Sequence, residues 1–259
     1  MTAHADTVSG HSRFNWRGLF SLVLLFVVWQ GVAMLVADPA IFPSALDTLR
    51  AGYVHFIDGS LVVNIAVTLL RVTVAFLLAM IFGSAIGIML GRSPRLDAFF
   101  EGWQMIALNM PALVTIVLCY IWFGLGETAA ILAVTINKIP TVVAIMREGA
   151  RALDRSLLEM AGAFGMPRRR LLVHIILPQL APSLLASARA SLALTWKIVL
   201  MVELLGRPNG VGFQIRTFFN YFDIASILAY AMSFIAVVIA IEACILQPID
   251  RSLNHWRRL

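Results

Sequence analysis

Of the charged residues inside apolar runs, Arg71, Lys138, Lys197, Glu203 and Glu242 are the groups in this chain best placed to do chemistry. Each costs on the order of a few kcal/mol near the middle of a bilayer unless it is paired or hydrated. Two kinds of work suit them. Lys138 and Lys197, with Asn109 and Glu203, could line an aqueous path and hold a small anion. Lys197, Glu203 and Glu242 could instead pass a coupling ion along a relay. The structural alternative is pairing between helices, or heads that reach toward an interface along buried stems. Lys197 and Glu203 are six residues apart, on different faces of a helix, so they are not expected to pair with each other.

No catalytic set accompanies these charges. The sequence holds no phosphate-binding G-x-x-x-x-G-K-[ST] loop, no H-E-x-x-H zinc pair and no G-x-S-x-G elbow. His4, His11, His55, His174 and His255 are scattered, with no two at ligand spacing, so a metal site is not expected. Cys119 and Cys244 lie in apolar runs and behave as small hydrophobes.

The chain has 259 residues, 60% hydrophobic and 13% charged, with a mean hydropathy of +0.88. That is far beyond a soluble domain and marks an integral membrane protein. The surplus of Arg is no argument for nucleic acid, because there is no compact basic face with interleaved aromatics. Six apolar runs are long enough to cross ~30 Å of hydrocarbon. They are expected at about Leu19 to Val36, Asn64 to Leu90, Trp103 to Trp122, Thr128 to Met146, Leu184 to Leu205 and Ala225 to Leu246. Residues 1–16 form a polar lead, and residues 17–259 a single all-α transmembrane domain.

Between the spans the sequence places several other elements. Ser44 can cap a short interfacial helix from Ala45 to Tyr53. Gly83, Gly87 and Gly91, four apart, make a small-residue face that lets another helix approach closely. Pro111, beside Asn109, is expected to kink the third span. The segment from Gly206 to Ile224 is too polar to span, and reads as an interfacial loop with a short helix.

The least membrane-like stretch, EMAGAFGMPRRRLLVHIILPQLAP from Glu159 to Pro182, is expected to form two short amphipathic helices bent at Gly165. Thirteen Arg lie on the side of this island and both termini, against Arg50, Arg207 and Arg216 on the other. By the positive-inside rule, the termini and the island face the cytoplasm.

Glu159, Ala161, Gly165, Ile175, Leu177 and Pro178 resemble, in type and spacing, the EAA loop of ATP-binding-cassette importer permeases. Met160 stands where the usual motif has its first Ala. The segments FPSALDTL, TLLRV, GSAIGIMLGRS, WFGLGE, VELLGRPNGVGFQI and the final HWRR are similar to the nitrate, taurine and alkanesulfonate permeases, so the likeness covers the chain from about residue 20.

The resemblance implies a non-catalytic inner-membrane subunit of an importer, with the EAA-type loop at about 154–182. Glu159, Met160, Ala161, Gly162, Gly165, Arg168 and Pro178 would form the coupling surface to an ATPase subunit. It further implies two ATPase subunits that hold ATP and Mg, a second permease copy in a homodimer, an extracytoplasmic solute-binding protein and no cofactor on this chain. An ion-coupled secondary transporter using Lys197, Glu203 and Glu242 is the rival reading. The polar island, the six spans and the lack of a detectable inverted repeat weigh against it.

Overall fold

A computed structural model describes residues 16–246 and Pro248. Most of the polar lead and the closing DRSLNHWRR lie outside the described residues. The helices are α1 (Trp16–Val36), α2 (Ala45–Ile57), α3 (Ser60–Arg92), α4 (Pro94–Asn109), α5 (Ala112–Phe123), α6 (Glu127–Arg151), α7 (Arg155–Ala163), α8 (Arg168–Leu171), α9 (Leu177–Gly206), α10 (Val211–Asn220) and α11 (Ile224–Ile241). Among the described residues, α3, α6, the run from α8 through α9, and α11 with its continuation to Cys244 are each long and apolar enough to cross a membrane. The pair α4 and α5 is long and apolar enough only when taken together, as one broken span or a re-entrant loop, and α1 holds a shorter apolar stretch, Val23–Val36.

The centre of the bundle is α6. Helix α3 lies against it in the same direction, because a methyl group built on Gly83 would come within 2.6 Å of Val142 Cβ, on Gly87 within 2.7 Å of Met146 Cβ, and on Gly91 within 2.7 Å of Ala150 Cβ. The glycine face is therefore occupied inside the protomer and is not free to pack a second copy. Helix α9 runs past α6 in the opposite sense, with Ser183 against Gly149. Two apolar clusters result. One, containing Ile116, Val134, Val199, Val202 and Tyr230, lies toward the α10 end. The other, containing Val142, Met146, Leu153, Ile176 and Leu180, lies toward α7.

The third span departs from expectation. Instead of one helix kinked at Pro111, α4 and α5 meet at 96°. The ring of Pro111 disfavours helical geometry at the residue before it. Met110 accordingly is extended (φ −69, ψ 122), as is Pro111 itself (φ −58, ψ 133). Two consecutive non-helical residues break the helix outright, and the Asn109 amide turns back to donate to Met105 O at 2.8 Å.

The second half of the polar island also differs. It is no separate short helix: α8 runs through a π-helical turn, Leu172–Ile176, straight into α9. A widened turn just before Pro178 relieves the clash that its ring would make with the carbonyl four residues earlier. Span five thus begins well before Leu184. The short helices at α2 and α10 form where the sequence places them. Ser44 and Asp47 make a reciprocal capping box at the start of α2.

Candidate functional site

Helix α7 is the element that stands off the bundle. Asp154 caps it by accepting from Ser156 N–H at 2.8 Å, and that bond with the Ser156 hydroxyl holds the Asp154 carboxyl below its usual range. Asp154 N–H donates to Gln179 Oε1 at 2.8 Å, which ties the start of α7 to α9. The helix ends in a Schellman turn. Gly165, at φ +61, donates to Gly162 O at 3.0 Å, and Met166 N–H donates to Ala161 O at 2.9 Å.

One face of α7 is moored and the other is free. Ala161 is buried, Leu153 belongs to the apolar cluster, and Leu158 packs on it. Outward point Glu159, Met160, Gly162 and Phe164, with Phe164 83% exposed. Arg168, Arg169, Arg170 and Pro178 are exposed as well. The arrangement is a short rigid knob, apolar at Met160 and Phe164 and acidic at Glu159, presented on a glycine-closed turn.

At the root of this knob lies an ion-pair cluster that sequence reading missed. Asp97, buried near the start of α4, meets Arg147 at 3.1 Å and also pairs with Arg151, while Arg151 reaches Glu148 at 3.0 Å. Only the fold brings Asp97 to the end of α6.

The opposite end of the bundle holds a larger network. Arg71 uses all five of its N–H groups. Nε donates to Glu127 Oε2 at 2.9 Å, Nη1 to Glu203 Oε1 at 2.6 Å and to Asn209 O at 2.9 Å, and Nη2 to Glu127 Oε1 at 2.5 Å and to Asn209 Oδ1. Glu203 is wholly enclosed, also accepting from Thr68 Oγ1 and Gly212 N–H, each at 2.9 Å. Arg207 adds donors to Glu127 at 2.7 Å and to Leu125 O at 2.6 Å. Two arginines and two glutamates are thus mutually neutralised, as burial of charge demands. Gly210, at φ +105, leaves room for the Glu203 carboxylate where any side chain would overlap it.

The charges anticipated in the spans are distributed, not gathered. Lys138 is buried in α6, Lys197 is exposed on α9, Asn109 is exposed at the α4–α5 break, and Glu203 is locked to Arg71. Glu242 lines a cavity of about 480 Å³ with Arg189 and Trp196, a lining that includes neither Lys197 nor Glu203. Arg189, midway along α9, was overlooked among the charges within spans. Glu127 and Arg207 were legible only as charges beside glycine turns.

The family model described as binding-protein-dependent transport system inner membrane component matches residues 79–247. The chain belongs to this family. The permease is 27% identical over 262 residues to the taurine transport system permease protein TauC of Escherichia coli (strain K12), covering 95% of each chain. It is 26% identical over 250 residues to the putative aliphatic sulfonates transport permease protein SsuC of Bacillus subtilis (strain 168), covering 96% of this chain and 90% of that one. A solved structure of the MetNI methionine ABC transporter in an inward-facing conformation superposes with a TM-score of 0.66 at 17% identity, over 76% of this chain and 97% of that one. That likeness establishes a shared fold. The protein is a multi-pass inner-membrane permease of the ABC importer class, a subunit that is not itself catalytic.

Proposed function

We propose that this permease carries a small anionic solute of the sulfonate class inward, powered by two partner ATPase subunits that hold ATP and Mg. A second copy of the chain completes the pathway, and an extracytoplasmic binding protein delivers the solute. Both termini and α7 face the cytoplasm. The observation that carries the reading is the knob of α7: a moored helix with Glu159, Met160 and Phe164 exposed and a glycine-closed end. Such a lever can transmit a rigid displacement to α6, which it follows in the chain, and to α9, to which its start is tied. The names of two relatives, for taurine and for aliphatic sulfonates, support the solute class. Lys138 supplies a cation inside the bundle and Lys197 a second on its surface.

Co-expression with a candidate ATPase and binding protein tests this. ATPase subunits should co-purify, and proteoliposomes should take up a labelled alkanesulfonate only with ATP and the binding protein. Glu159→Lys should leave the chain folded while separating ATP hydrolysis from uptake. Uptake driven by an ion gradient without ATP would refute the assignment.

A further inference from the structure

A cavity of about 360 Å³ opens at the root of α7, where α3 and α6 end and α4 begins. Its lining joins two chemistries. Leu90, Leu153 and Leu158 are apolar, whereas Arg92, Arg151 and Arg155 are cationic. The one carboxylate in the lining, Asp97, is already engaged by Arg147 and Arg151. Three arginines against one aspartate leave a charge of +2. Arg92 and Arg155 are exposed and have no ion-pair partner among the described residues.

Position narrows the ligand. Arg92 is the last residue of α3 and Arg151 the last of α6, two helices that can each cross the membrane, so the cavity sits at headgroup depth. An apolar wall beside a forked cation at that depth suits a phosphate carried on an apolar body, since guanidinium groups match phosphate oxygens two at a time. We propose that this cavity binds an anionic phosphate group, that of an anionic phospholipid or free phosphate, clamped between Arg92 and Arg155. Because Arg155 opens α7, the bound group ties the root of α7 to the end of α3.

The test uses the full-length chain in nonionic detergent micelles, with fluorescent phosphatidylglycerol, fluorescent phosphatidylcholine and inorganic phosphate as separate probes. Phosphatidylglycerol or inorganic phosphate should bind, and whichever binds more tightly names the source. Replacing both arginines (R92Q/R155Q) should weaken that binding about 25-fold, at roughly fivefold per arginine. The changes R168Q/R169Q/R170Q, on arginines outside the cavity, should alter it less than about twofold. Hydrogen exchange at residues 155–158 should slow when the probe binds, a readout that a merely structural arginine would not move. Equal binding of phosphatidylcholine and phosphatidylglycerol without affinity for phosphate would overturn the proposal, as would an equal loss in the two variants.

Discussion

Arg71 and Glu203 illustrate how one residue's surroundings set its task. Glu203 has no exposed surface, and its partners all come from the protein. Removing Glu203 leaves Arg71 with Glu127 alone and the cluster with one uncompensated positive charge, a loss of about 3–5 kcal/mol. Glu203→Ala should therefore lower the thermal midpoint in detergent sharply. Arg71→Met/Glu203→Leu, which removes both charges, should recover part of that loss. Lys138 is the opposite case: a buried cation with no carboxylate partner among the described residues. Lys138→Met should raise the melting temperature, because an uncompensated buried charge is removed. If Lys138 touches the solute, uptake should fall in the same variant, and intact uptake would remove it from the path.

Among elements, the α3–α6 contact and the α7 turn make separate predictions. Gly87→Ala would press a methyl against Met146 and against the Val143 carbonyl at 2.9 Å, and should cost about 1–3 kcal/mol in a denaturation series. Gly102→Ala meets nothing within 4 Å and should not destabilise. Gly165→Ala places a side chain at φ +61, at a cost of roughly 1–2 kcal/mol, and should raise hydrogen exchange at residues 161–166 without altering the spans. Asp154 adds a pH dependence. Its folded-state carboxyl is held below the ordinary range by Ser156, so the capping contribution is complete above the unfolded value of about 3.9 and is lost as pH falls through the lower folded value. Protection of the first turn of α7 should be constant near neutrality and decline only in acid.

These elements were unequally legible in sequence. The glycine spacing announced a close helix contact, and Ser44, Gly165 and the polar Gly206 to Ile224 segment announced their local structures, because caps, turns and small-residue faces are written in a few adjacent residues. The 96° break at Pro111 and the continuity of α8 into α9 were not legible. A proline says only that a hydrogen bond is lost; whether the helix bends, breaks or widens depends on what packs beside it.

For the molecule as a whole, α6 joins two polar clusters at opposite ends, Asp97 with Arg147 and Arg151 near α7, and Arg71 with Glu127, Glu203 and Arg207 near α10. Sites so far apart with no shared partner should act independently. The losses from Glu203→Ala and Gly87→Ala should add within about 0.5 kcal/mol in the double variant. A large deviation would mean that strain passes along α6 from one end to the other.

The sequence by itself determined that this is an all-helical membrane protein with a polar loop of importer type, because hydropathy, charge placement and motif spacing are properties of the chain read in order. Only the tertiary structure decided what the charged residues inside it do. Glu203 is sealed against Arg71, 132 residues away, and Asp97 is held by Arg147 and Arg151 on another helix. The physical reason is that a charge within a span must find its counter-charge through space, and spacing along the chain carries no record of which helix will bring it.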